Sequence, residues 1–392
     1  MRSNLQPDQW SVENNREFAH AKTERCGPRP LGLHIAHAEW AWRSVNPAQL
    51  NAFYRGVKAY RTHPYRRSIV QRPKIWKKGN CQLIDYGPVH GWPLLVVPSL
   101  INRAYILDLM PGVSLLEFLR DGGIRPLLFD WGESSGANRQ LGLSQLMQDY
   151  MEPALRYIRR DTGRRPLVLG YCMGGTLTTA LACLCHDQMA GLALLAPPWD
   201  FSRDHHSTDQ AGRCHVALAS GAGCIGSLPV DFQQMLFAQI DPLAVPRKFA
   251  RFTKTELGSD AAHRFVAIED WLNDGVSMSA EVATECLVDW YGNNMPARGT
   301  WRISGIPIRP ERLHLPTFLA IPDHDRIVPP HSAEALGRIL RNHELVKPRT
   351  GHIGMITGKN AKNVLWDPLL RWLERIAAMQ KNLGKTPGTS LS

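Results

Sequence analysis

One stretch limits the possible folds more than any other: Leu167-Val168-Leu169-Gly170-Tyr171-Cys172-Met173-Gly174-Gly175-Thr176-Leu177. An apolar run of strand length meets Gly-x-Cys-x-Gly and passes directly into a helical pattern, Leu177 to Leu184. A strand that turns this sharply into a helix holds the turn residue in a strained conformation and exposes its side chain at the edge of the sheet. Gly170 and Gly174, with Gly175 beside them, relieve the crowding between strand and helix. Cys172 therefore reads as a nucleophile at a helix N-terminus, where the dipole and unpaired N–H groups favour negative charge on sulfur. The N–H of Met173 points to where an oxyanion would form. A structural cysteine beside a packing glycine pair leaves the strand–turn–helix context unexplained.

Such a turn belongs to a parallel sheet, and the rest of the chain supplies one. Leu94–Val97, Pro126–Trp131, Pro166–Gly170, Gly191–Ala196 and Thr317–Ile321 are short apolar runs without alternation, as strands covered on both faces should be. Helical patterns such as Ser114–Arg120 and Leu143–Arg159, the latter with a kink expected at Pro153, lie between them. The fold class is α/β, with a mostly parallel, doubly wound sheet. One interval breaks the rhythm: some 117 residues, Trp199 to Leu315, separate two strands. A crossover needs only about a dozen or more. Residues 199–315 are therefore expected to form a cap inserted after the sixth strand, over the C-terminal edge of the sheet. Val282, Cys286, Leu287 and Trp290 mark an amphipathic helix within it.

Residues 71–198 and 316–380 then make up the core, ending in a helix near Leu369–Ala378, with a flexible tail at 381–392. Residues 1–70 form an N-terminal helical, basic segment, partly disordered, of which 1–28 are polar and loosely ordered. Leu33, His37 and Trp40, then Leu50, Phe53 and Val57, indicate two helices joined near Asn46-Pro47. Lys74–Trp76 and Gln82–Tyr86, around Gly79-Asn80, form a hairpin.

An apolar content of 44% over 392 residues excludes a disordered or fibrous chain. No apolar run approaches the roughly 18 residues of a membrane span. Met1–Glu17 lacks the apolar stretch of a signal peptide. Eight irregularly spaced cysteines suit reduced thiols, so a soluble, cytoplasmic protein is expected. The net charge of +11 is uneven: Arg61, Arg66, Arg67, Arg72, Lys74, Lys77 and Lys78 occupy one segment with no acidic residue. That cluster suits a polyanion, a phosphate-bearing cofactor or an acidic partner, or simply a solvated face. Nothing beside it resembles a nucleic-acid-binding module.

A cysteine elbow needs an acid and then a histidine further along the chain. Pro322-Asp323-His324-Asp325-Arg326-Ile327-Val328-Pro329 follows the Thr317–Ile321 strand, and an Asp three residues before Val-Pro selects Asp325. Asp323 and His324 are close rivals. Thr350-Gly351-His352-Ile353-Gly354 follows a last strand at Leu345–Lys347 and places a glycine-flanked histidine where the base belongs. His205-His206, His34-x-x-His37 and Cys183-x-Cys185-His186 lack the partners of a ligand set, so no metal is expected. No phosphate-cradling glycine motif appears.

With these residues in place, the sequence resembles the polyhydroxyalkanoate synthases over roughly Pro93 to Arg375. Gly170-Tyr171-Cys172-Met173-Gly174-Gly175 matches their cysteine elbow. More specific is Pro93-Leu94-Leu95-Val96-Val97-Pro98-Ser99-Leu100-Ile101-Asn102-Arg103-Ala104-Tyr105-Ile106-Leu107-Asp108-Leu109. Phe129-Asp130-Trp131-Gly132, Pro198-Trp199-Asp200-Phe201, Trp271 and Trp290-Tyr291-Gly292-Asn293-Asn294 also fit the family. The short N-terminal region looks like the family's short forms, which work with a second subunit. Two features depart from the pattern: Arg326 stands where the family usually has His, and the helical, basic character of the first 90 residues is unlike those short forms.

The resemblance implies an α/β-hydrolase fold and an acyltransferase that polymerises 3-hydroxyacyl-CoA through an acyl-cysteine, without a cofactor. His352 would take the proton of Cys172, Asp325 would orient His352, and the N–H groups of Met173 and Leu100 would hold the oxyanion. Implied partners are the growing polyester chain or a granule surface, and a second copy or second synthase subunit. Other readings compete. A dienelactone-hydrolase-like enzyme shares the elbow but lacks the long insertion and the Asn102-Arg103 loop, while a family member turned thioesterase differs only in how the cap excludes water. An intracellular polyester depolymerase shares the cysteine strategy but not this glycine elbow, and a non-enzymatic granule protein has no need of all three catalytic residues.

Overall fold

The computed structural model describes residues 25–132, 141–202 and 209–383, the side chains of 209–215 and Leu383 excepted. His205, His206, residues 1–24 and most of the expected tail thus lie outside the described residues.

Eight strands build one sheet: β1 Lys74–Lys78, β2 Cys81–Asp85, β3 Trp92–Val97, β4 Ile124–Asp130, β5 Leu167–Tyr171, β6 Gly191–Leu195, β7 Thr317–Ala320 and β8 His343–Val346. Their order across the sheet is β1-β2-β4-β3-β5-β6-β7-β8. The β1–β2 hairpin and the β2–β4 pair are antiparallel, and every other pairing is parallel. The apolar runs without alternation are explained by two-sided burial. Leu95 and Val97 of β3, with Val168 of β5, enter one core cluster, while Leu94, Val96, Leu167 and Leu169 enter the opposite one. A side chain of this kind contributes about 1.5–3 kcal/mol when taken out of water.

The helices cover both faces. In chain order they include α1 Leu31–Trp42, α2 Pro47–Thr62, α3 Leu115–Asp121, α4 Glu152–Thr162 and α5 Met173–Cys185. After β6 come α6 Asp209–Ile225, α7 Val230–Ile240, α8 Ala244–Phe252 and α9 Asp260–Asn273; α10 Pro330–Ile339 and α11 Asp367–Leu383 belong to the C-terminal part. Leu155 of α4, Leu181 of α5 and Leu336 of α10 pack on one face; Leu116 of α3 and Trp372 and Leu373 of α11 pack on the other. The kink expected at Pro153 takes the form of a π-turn, Leu146–Met151, just before α4. Proline has no N–H to return to the preceding turn, and the helix accommodates it near the start of a fresh segment.

The two N-terminal helices form as expected, and Asn46 accepts from the N–H of Gln49 to cap the second. They do not pack on the sheet. Leu50, Phe53, Val57 and Tyr60 meet Phe249, Phe252 and Val266 of α8 and α9 in a separate core. Gly56 is required there, since a Cβ would lie 1.9 Å from the carbonyl oxygen of Phe249. Most of the stretch expected to be loosely ordered lies outside the described residues; within its last part, Arg25 binds both carboxylate oxygens of Asp270 at 2.5 and 2.8 Å.

The basic segment also differs from a bare cationic face. Arg67 donates to the carbonyls of Asp108 and Leu109 and lies over the Tyr105 ring. Arg72 binds Glu117 at 2.6 Å over the Tyr86 ring, and Lys78 faces Asp149. For Arg67, Arg72 and Lys78, acids distant in sequence supply partners that the segment itself lacks.

Candidate active site

In this strand order the chain leaves β3 for β4 and returns across it to β5, so the connections diverge between β3 and β5. Crevices form at such switch points, beyond the carboxyl ends of the strands. Cys172 follows β5 and Leu100 follows β3 at that place.

The elbow is as sharp as the glycines imply. Cys172 has φ 56° and ψ −128°, a left-handed conformation that costs a non-glycine residue about 1–3 kcal/mol. Its N–H donates to Leu195 O at 2.8 Å, and its carbonyl accepts from Gly175 at 2.7 Å. A Cβ at Gly174 would lie 2.3 Å from Val97 O, and one at Gly170 would lie 2.5 Å from Gly174 O. Only glycine admits that approach of β3, β5 and α5. Cys172 is half-buried as the N-cap of α5, and Met173 N–H opens the helix, where no preceding turn offers an acceptor. Leu100 lies half-buried in the loop after β3, and Pro98 O comes within 2.6 Å of where a Gly174 Cβ would be. The two expected oxyanion donors thus come from neighbouring segments.

The loops after β7 and β8 run side by side, joined by Asp323 N–H to Pro348 O and His324 N–H to Thr350 O. This pairing brings Asp325 to His352, with Asp325 Oδ2 2.6 Å from His352 Nδ1. Asp325 Oδ1 accepts from Ile327 N–H at 2.8 Å and Val328 N–H at 2.9 Å, so the carboxylate is fixed at both oxygens. Asp323 is turned outward and pairs with exposed His324 at 2.7 Å. Geometry therefore separates the two acids that sequence left in competition.

His352 is buried and hydrogen-bonded to Asp325, and Cys172 lies near enough to act on its charge. Burial alone would strip the ring of its proton. Its electrostatic coupling to Cys172 and Asp325, with the hydrogen bond to Asp325, outweighs that and pushes it up to about 10. A histidine raised in the folded state stabilises the fold fully below its unfolded value and loses that contribution as pH climbs through the folded one. Thermal melts of wild type and His352→Gln are therefore expected to converge as pH rises from 6.5 towards about 10. A gap independent of pH would show that the site does not hold an imidazolium.

Three neighbours escaped the sequence reading. Tyr171 stacks on the His352 ring, centroids 5.1 Å apart, and its hydroxyl donates to His352 O. Arg326, where the resemblance led one to expect His, binds Asp241 of the β6–β7 insertion at 2.8 Å. Trp271 of α9 donates from Nε1 to Arg103 O at 2.7 Å. Tyr171 carried a local signal, an aromatic ring directly before the elbow cysteine, whereas Trp271 and Arg326 stood out only as a match to and a departure from the resembled family. Among the described residues no cluster of three or more His, Cys, Asp or Glu side chains is arranged to hold a metal ion, and no helix is long and apolar enough to cross a membrane.

A sequence model described as the alpha/beta hydrolase family matches residues 89–360, which span β3 through the His352 loop. The chain belongs to that family. Among curated proteins this hydrolase-family chain is similar to the poly(3-hydroxyalkanoate) polymerase subunit PhaC of Haloferax mediterranei, 27% identical over 307 residues, covering 76% of this chain and 62% of that one. The subunit of the same name from Haloarcula marismortui is 26% identical over 285 residues, covering 71% and 60%. That from Synechocystis sp. is 26% identical over 291 residues, covering 72% and 77%. These matches bear out the resemblance to polyhydroxyalkanoate synthases. The chain spans about three fifths of the length of the first two relatives.

Proposed function

We propose that this alpha/beta hydrolase is an acyltransferase that polymerises 3-hydroxyacyl-CoA into polyhydroxyalkanoate through an acyl-cysteine. The observation that carries the reading is the buried Asp325–His352 pair, electrostatically coupled to Cys172, with the cysteine at a strained helix N-cap. His352 takes the thiol proton, and the sulfur attacks the thioester carbonyl. The oxyanion is held by the N–H groups of Met173 and Leu100. Its collapse expels the CoA sulfur, which leaves with the proton from His352. In the second half-reaction His352 removes the proton of a 3-hydroxyl group, whose oxygen attacks the acyl-cysteine. A C–O bond forms, the C–S bond breaks, and the sulfur regains a proton. Exchange between two thioesters is nearly thermoneutral, so the acyl group stays activated for ester formation. No cofactor takes part. The similarity to polymerase subunits also supports a second copy or second subunit as partner, and work in the cytoplasm at a granule surface.

Purified protein given 3-hydroxybutyryl-CoA is expected to release CoA in step with polymer. Free 3-hydroxybutyrate accumulating in step with CoA would make it a thioesterase, the strongest competing reading.

A further inference from the structure

The loop from Ser99 to Arg103 includes Leu100, a candidate oxyanion donor, yet most of what fixes this loop comes from outside the sheet. Ile101 O accepts from Val276 N–H at 3.1 Å, and Asn102 forms an isolated antiparallel bridge with Gly275. Asn102 Nδ2 donates to the carbonyls of Trp271 and Leu272 at the end of α9. Arg103 Nε binds Asp274 at 3.1 Å, and Arg103 O accepts the Trp271 indole N–H at 2.7 Å. The same helix end is gripped from behind. Asp270, one residue before Trp271, accepts from Arg25 and from the Tyr60 hydroxyl, and Asn273 donates to that hydroxyl at 3.0 Å.

We propose that Trp271 is a positioning residue that holds the Leu100 N–H on the oxyanion, and that the N-terminal helices hold Trp271 in place through Asp270. This gives the N-terminal helices, which have no place in the chemistry, a part in it. The inference rests on the proposed nucleophile Cys172 and its oxyanion donors, not on the polymerase reading. A backbone loop shifted by even half an ångström loses the geometry that makes an oxyanion donor effective. The hydrogen bonds at issue are each worth about 1 kcal/mol, so a single one should change rate by about three- to tenfold.

The test compares two reactions of the same sulfur. p-Nitrophenyl acetate acylates Cys172 through an oxyanion as a C–S bond forms and nitrophenolate leaves. Iodoacetamide alkylates it by displacing iodide, with no oxyanion. Trp271→Phe keeps the buried ring and removes only the N–H donor. It is expected to slow acylation of the Cys172 peptide about three- to tenfold, at saturation rather than through KM, and to leave its alkylation rate unchanged. Asp270→Asn should produce the same selective loss. Equal slowing of both reactions, or of neither, in Trp271→Phe would overturn the positioning role, and an unaffected Asp270→Asn would overturn the part given to the N-terminal helices. Wild type that is acylated by the ester but ignores 3-hydroxybutyryl-CoA would remove the polymerase reading alone and leave this inference standing.

Discussion

Cys172→Ala is expected to reduce CoA release from 3-hydroxybutyryl-CoA to the uncatalysed background, a loss on the order of 10⁴-fold or more. Removal of the sulfur takes away the only atom at the elbow that can carry the acyl group. Cys172→Ser should also lose most activity, because the hydroxyl is a poorer nucleophile and its oxoester a less activated donor. The variant has a second signature. His352 owes part of its raised pKa to Cys172, so in Cys172→Ala the ring should titrate lower, as followed by its NMR shifts. Mass spectrometry of the wild-type Cys172 peptide should show 3-hydroxyacyl units that increase in number with time. Label on another cysteine, with Cys172→Ala still active, would sink the assignment.

The parts of this site that were legible in the sequence are those fixed by local sterics. Gly170, Cys172 and Gly174 declare the elbow because no other residue pattern lets a strand, a reversed φ and a helix start share five positions. The two-sided strands were legible for the same kind of reason, since β3 and β5 must be apolar at every position to face two cores. Sequence could not show what depends on distant partners. Arg72 meets Glu117 across 45 residues, so a segment without acids looked more uncompensated than it is. The N-terminal helices were visible, but their packing on α8 and α9 was not, because an amphipathic face does not name its partner. Trp271 read only as a family feature, and its bond to Arg103 lies 168 residues away in the chain.

The choice between Asp323 and Asp325 was of that second kind, and it yields the other large effect. Both carboxylates lie in one loop two residues apart, and only folding decides which one turns inward. Asp325 Oδ1 is already taken by two backbone N–H groups, so in Asp325→Asn the amide oxygen should keep that place and turn the amide nitrogen towards His352 Nδ1. Two donors cannot face each other. The ring would then carry its proton on Nε2, the atom that must accept one, a tautomer change worth on the order of 10⁴-fold where it has been isolated. Elongation should suffer more than acylation. A thiol of pKa about 8.5 ionises without much help, whereas the 3-hydroxyl group needs the base. Asp325→Asn should therefore show a slow single-turnover release of CoA with almost no chain growth. Asp323→Asn removes only a surface contact with His324 and is expected to leave both phases within about twofold, in keeping with an exposed pair. Equal damage from the two substitutions would mean that the carboxylate at 2.6 Å from His352 does not set its tautomer.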